Sequence, residues 1–210
     1  MSEINLKSKF LERCVKEYLG LGDSPIMDTD LAQIKYLRIA TTHDHEMSLG
    51  KNTLPKDFYF DDAGDEWNFC SLDDTGRFAH IEEFIEVAEY YPPNKELSIK
   101  DELRQHDWSE PNYDEAAMQN FNEDVVTYWA EEDDYSFAGE NDELFFAEDL
   151  AYFTNVEALR LNGCEQDIHN IAFLGVMNKL RVLELGEIRL NSMDGIEKLI
   201  GLETLCIWSN

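Results

Sequence analysis

The apolar positions in the C-terminal third of the chain repeat. Ile196, Leu199, Leu202, Leu205, Ile207 and then Asn210 are spaced three, three, three, two and three. The same phase gives Leu174, Met177, Leu180, Leu183, Leu185 and Ile188 one unit earlier, and Leu150, Phe153, Val156, Leu159, Leu161 and Cys164 before that. A spacing of two puts alternate side chains on one face of a strand, whereas a run of threes suits a tight 3₁₀-like turn that eclipses positions i and i+3. Each unit therefore predicts a helix-like turn feeding a short strand. Stacked in parallel, the units place Leu159, Leu161, Leu183, Leu185, Leu205 and Ile207 in one continuous core.

Near the N-terminus, KFLERCVKEYLGLGDSPIMDTDLAQIKYLRI predicts a helix with Phe10, Cys14, Val15, Tyr18 and Leu19 near one face, ended by Gly20 and Gly22. Leu31, Ile34, Leu37 and Ile39 then restart the three, three, two spacing. Between these regions, residues 41–155, the period fails. Ala79 to Tyr91 reads as an amphipathic helix stopped by Pro92 and Pro93, and Glu115 to Ala130 as a second helix through Met118, Phe121, Val125, Tyr128 and Trp129. Phe58 with Phe60, and Leu97 with Ile99, are candidate degenerate repeat strands.

The stretches VEALRLNGC, LRVLELGEI and LETLCIWSN resemble the strand segment of the leucine-rich repeat, L-x-x-L-x-L-x-x-N/C, with Cys164 and Asn210 at the N/C position and Ile188 departing from it. The N-terminal segment is similar to the helical cap that precedes such repeats in bacterial internalin-like proteins. The resemblance covers residues 9–40 and 144–210. It implies an α/β fold: a short leucine-rich-repeat solenoid with parallel strands, a helical cap with the first repeat strand over 1–40, a large acidic insertion over 41–143, and repeats over 144–210. It also implies that Ala158, Arg160, Asn162, Val182, Glu184, Gly186, Thr204, Cys206 and Trp208 face the concave side. Trp208 is then either a partner anchor or a lid on the open end of the core; the need to cover that end favours the lid.

Charge changes the picture most. The net charge is −28, and residues 41–155 hold 31 acidic and 6 basic side chains, which is 25 of the 28 excess charges. A field of one sign argues against nucleic acid and anionic membrane as ligands, since both are polyanions bound through Lys and Arg, and it favours a basic partner. The same segment carries 20 of the 25 aromatic residues, which a solvated acidic tail would lack, so much of it is expected to fold. Within it, Trp129, Glu131, Glu132, Asp133, Asp134 and Tyr135 combine aromatics with consecutive carboxylates, as a docking rim for a basic surface would.

Catalytic chemistry is sparse. No G-x-G-x-x-G, P-loop, G-x-S-x-G or H-E-x-x-H occurs, and the four cysteines form no C-x-x-C pair. His43 and His45 around Asp44 could offer a metal two imidazoles and a carboxylate, but alternate residues after a strand are more often solvated. Asp61 to Glu66 lacks the spaced ligands of a calcium loop and reads as a turn. No window reaches the ~18 apolar residues of a membrane span and no leader is evident, so a cytoplasmic protein is expected, with no cofactor and no bound metal. The leading expectation is a non-catalytic protein-binding module that inhibits a basic protein, as an immunity protein or antitoxin against a toxin such as a nuclease. The alternatives are a nucleic-acid mimic and a metal-dependent hydrolase using His43 and His45.

Overall fold

A computed structural model of the chain describes residues 1–41, 46–55, 69–71, 115–131, 145–163 and 168–208. Its elements run β1 (Glu3–Ile4), α1 (Lys9–Leu19), β2 (Ile26–Met27), α2 (Asp28–Leu31), β3 (Tyr36–Ala40), β4 (Glu46–Gly50), β5 (Phe69–Ser71), α3 (Glu115–Asp124), β6 (Val126–Trp129), β7 (Ala158–Asn162), β8 (Val182–Gly186) and β9 (Thr204–Trp208). Short 3₁₀ helices, Ala147–Tyr152, Ala172–Val176 and Ile196–Lys198, precede the last three strands. The fold is mixed α/β.

Helix α1 forms where the apolar stripe predicts it. The Ser8 side chain accepts the Leu11 N–H at 3.0 Å, and Gly20, at φ 66°, ends the helix in the left-handed conformation that glycine adopts without strain. Phe10, Leu11, Cys14 and Val15 are buried, while Tyr18 and Leu19 pack partly buried against the same core.

The two-residue spacings become strands. β3, β7, β8 and β9 are parallel neighbours in register, aligning Leu37, Leu159, Leu183 and Leu205 in one row and Ile39, Leu161, Leu185 and Ile207 in the next. All eight side chains are fully buried. The threes become 3₁₀ turns with a repeated backbone. The N–H groups of Phe153, Met177 and Leu199 donate to the carbonyls of Leu150, Leu174 and Ile196, each three residues back. A second repetition ties the strands together. The carbonyls of Lys35, Glu157 and Arg181 each accept two consecutive N–H groups at the entrance of the next strand, from Glu157 and Ala158, Arg181 and Val182, and Glu203 and Thr204. Ile188 is buried, so the position that departs from the repeat pattern extends the core; Glu187 and Arg189 on either side of it take positive φ, 50° and 54°.

Strands from the acidic stretch complete the sheet at both edges, giving the order β5-β9-β8-β7-β3-β4-β6. β4 pairs antiparallel with β3, β6 antiparallel with β4, and β5 antiparallel with β9. The helix expected over Glu115 to Ala130 is shorter: α3 stops at Asp124, and Val126 to Trp129 form β6. The β-branched and aromatic run V-V-T-Y-W suits a pleated surface, and the edge of β4 supplies a hydrogen-bonding partner that an isolated helix end lacks. The helix expected over 79–91 and the strands expected around Phe58 and Leu97 lie outside the described residues.

Candidate partner interface

The face of the sheet opposite the leucine rows carries polar side chains in a register row. Thr127, Ser48, Arg38, Arg160, Glu184 and Cys206 are consecutive cross-strand neighbours. Ser48 and Thr127 share a hydrogen bond between their hydroxyls at 2.8 Å. Arg38 Nη2 lies 2.8 Å from Glu46 Oε1, and Arg160 Nε lies 2.8 Å from Glu184 Oε1. Arg160 and Glu184, expected on an open concave surface, are paired with each other and only 4% and 1% exposed. Charges of opposite sign buried together need each other, because removing either strands the other in a low-dielectric site. Their placement gives them a structural role in the sheet.

One end of this face is covered. Tyr36, Ala158 and Val182 form a second apolar cluster with Leu54 and Phe121, and the Tyr36 and Phe121 rings meet edge to face at 5.3 Å. The backbone of Leu54 is held from both sides: its N–H donates to Glu157 Oε2 at 3.0 Å, and its carbonyl accepts from Arg181 Nη1 at 3.5 Å. Asp124, the last residue of α3, accepts the N–H groups of Lys51 and Asn52 through one carboxylate oxygen. The segment after β4 and helix α3 are thus strapped over the entrances of the strands.

Trp129 ends β6 opposite Glu46 and is 53% exposed, with its carbonyl accepting from Arg13 Nη2 of α1 at 3.4 Å. Glu131 is exposed two residues on. Trp129 thus stands on β6, three strands from Arg160 on β7 and four from Glu184 on β8, and Glu131 follows just beyond the strand. Glu132, Asp133, Asp134, Tyr135, His43, His45 and the run 61–66 lie outside the described residues. The backbone of Trp208 pairs with Gly186 in β9, at the end of the strand.

Two features escape a reading of apolar periodicity. One is the Arg38–Glu46 pair, which depends on the hairpin between β3 and β4. The other is Asp149, a buried carboxylate that accepts the backbone N–H groups of Lys7 at 2.9 Å and Ser8 at 2.8 Å, at the start of α1. Burial raises its pKa above the ordinary value, against the opposing pull of those two N–H groups. The acid in the motif E-D-L before the first repeat was the available signal.

Among the described residues, no group of three or more His, Cys, Asp or Glu is placed to hold a metal ion, and no helix is long and apolar enough to cross a membrane. No protein-family model, curated protein sequence or solved structure matches the chain.

Proposed function

We propose that this protein is a non-catalytic binding module, built on a short leucine-rich-repeat scaffold with an N-terminal helical cap, that recognises and inhibits a basic protein. The observation that carries the reading is the concentration of charge. Twenty-five of the 28 excess negative charges sit in residues 41–155, together with most of the aromatic residues. Uncompensated like charge destabilises a compact state, so its confinement to one stretch of sequence points to use. Trp129, 53% exposed and two residues before the exposed Glu131, supports the reading further, because an accessible aromatic followed in sequence by carboxylates is the chemistry of an anchor for a cationic surface. The inhibited protein is a toxin of the nuclease type on this reading, whose own polyanionic substrate requires the basic surface that an acidic inhibitor would cover.

The test is to mix the purified chain with the purified product of the neighbouring gene and assay that product's activity. The reading predicts a stable complex and loss of activity at equimolar ratio. A neighbouring product that is acidic, or that remains active and unbound at excess inhibitor, contradicts it.

A further inference from the structure

We infer that the protein self-associates as a dimer through the side on which its 3₁₀ turns stack, a surface separate from the one proposed for the basic partner. Leu150, Leu174 and Ile196 anchor the turns Ala147–Tyr152, Ala172–Val176 and Ile196–Lys198 in the core that holds the leucine rows, and successive turns lie against each other. Because the turns repeat, the positions they leave in solvent repeat too. Tyr152, Val176 and Lys198 each end a turn and are exposed. Two residues on, past the buried Phe153, Met177 and Leu199, the positions Thr154, Asn178 and Ile200 are exposed as well.

Three of these six present large apolar side chains: Tyr152 is 41% exposed, Val176 40% and Ile200 88%. Single exposed apolar residues are ordinary on a protein surface. Here they make up half of the six large ones exposed among the described residues and fall one to a unit on adjacent turns, which scatter does not produce. Lys198 adds its stem to the same strip. A Cβ on Gly175 would stand 2.7 Å from Lys198 Cδ and 3.3 Å from Lys198 Cβ, so the missing side chain at 175 leaves the room in which the methylene groups lie against the preceding unit.

Charge selects the occupant. Residues 168–205 carry four basic and five acidic side chains, a net of −1 in a chain of −28. Near Tyr152 the acids are engaged within the molecule: Glu148 pairs with Lys7 at 2.9 Å, and Asp149 is buried against the Lys7 and Ser8 N–H groups. A basic protein finds little attraction on such a strip, and the carboxylates concentrated before the repeats draw it elsewhere. An anionic membrane is repelled by the net charge. A second copy brings the same near-neutral strip, and a two-fold axis makes each contact twice. With the units antiparallel, Tyr152 of one copy stands opposite the Lys198–Ile200 end of the other, so a ring meets an aliphatic side chain and a cation. The strip is narrow, which places the dimer among small, concentration-dependent interfaces. The charge on the rest of each copy opposes association over long range, and salt relieves that repulsion. Self-association therefore tightens as salt rises, opposite to the attraction of a basic protein.

The test is sedimentation velocity of the full chain from about 10 to about 500 µM, a range that spans weak protein interfaces. The inference predicts a monomer–dimer equilibrium whose dissociation constant falls by about threefold or more between about 50 and about 500 mM sodium chloride. Val176→Glu and Ile200→Glu, whose side chains lie outside the core, should each weaken the dimer by about tenfold or more, and Trp129→Ala should leave it unchanged. A monomer throughout the range overturns the inference. A dimer that salt disperses, or that both strip variants leave intact, overturns it as well. The inhibition assay with the neighbouring gene's product decides the partner reading separately.

Discussion

The carboxylate of Asp149 accepts the backbone N–H of Ser8 at 2.8 Å, joining residues 141 apart in sequence. Ser8 in turn caps α1 through its side chain, so the start of the N-terminal helix is fixed from the first 3₁₀ turn of the C-terminal repeats. Asp149→Ala leaves the Lys7 and Ser8 N–H groups without this acceptor and should cost about 1–3 kcal/mol in chemical denaturation. An unchanged midpoint would show that the clamp is dispensable.

The same carboxylate sets a pH dependence. Its pKa is raised in the folded protein, chiefly by burial, so the protonated form favours folding. The protonation-linked part of its contribution is complete below its ordinary value of 3.8 and is lost as pH rises through the raised folded value, while the two backbone N–H groups still find their acceptor above it. Asp149→Asn cannot titrate. Wild type should therefore lose stability relative to the Asn variant as pH rises across that window, measured by paired denaturation curves; a relative gain by wild type would reverse the assigned sign.

The leucine rows are the most direct test of the repeat geometry. Leu183 is fully buried in the middle of its row, between Leu159 and Leu205. Leu183→Ala should cost about 2–5 kcal/mol, through lost transfer energy and the cavity left behind. A denaturation midpoint equal to that of wild type would be incompatible with the core described.

Two glycines between the repeats should respond unequally to alanine. Gly195 has φ +107°, and a Cβ there would stand 2.4 Å from Ala172 Cα and 2.6 Å from Ala172 N, both backbone atoms. At Gly175 the nearest atom is Cδ of Lys198, at 2.7 Å on a flexible side chain. Gly195→Ala should cost about 3 kcal/mol or more, from backbone strain and overpacking together, and Gly175→Ala distinctly less. Equal losses in thermal unfolding would contradict the close approach of the two turns.

The Arg160–Glu184 pair predicts non-additivity. Glu184→Leu alone strands a buried guanidinium and should cost about 3–5 kcal/mol, whereas Arg160→Met combined with Glu184→Leu should recover most of that loss. Additive losses in the double variant would mean that the two side chains do not depend on each other.

How much of this was legible in the sequence depends on where the information sits. The four parallel strands and α1 could be read directly, because Leu159, Leu161, Leu183 and Leu185 carry the strand period and Phe10, Cys14 and Val15 the helix period within short windows. β4 and β6 could not. Met47 and Leu49 are too few to announce a strand, and the run Val125 to Trp129 fits either element until β4 lies beside it. Arg160 and Glu184 read as concave-face positions because they flank the buried leucines of their strands, and charged residues are rarely buried unless paired. Their pairing was nonetheless implicit in the 24-residue offset, which sets position 160 opposite position 184 once the strands are parallel. Of the candidate interface, Trp129 and the carboxylates that follow it stand out in the sequence as an aromatic beside consecutive acids, and what the sequence lacks is the position of Trp129 at the end of β6.

The central claim, an acidic and aromatic surface that recognises a basic protein, is tested most directly by stopped-flow association with the neighbouring gene's product across a salt series from about 50 to about 500 mM, where screening lengths shorten severalfold. The account predicts an association rate that falls steeply with salt and falls again when Glu131, Glu132, Asp133 and Asp134 are changed together to Gln and Asn, while Trp129→Ala chiefly speeds dissociation. An association rate indifferent to both salt and the four-carboxylate change, with a dissociation rate unmoved by Trp129→Ala, would contradict it.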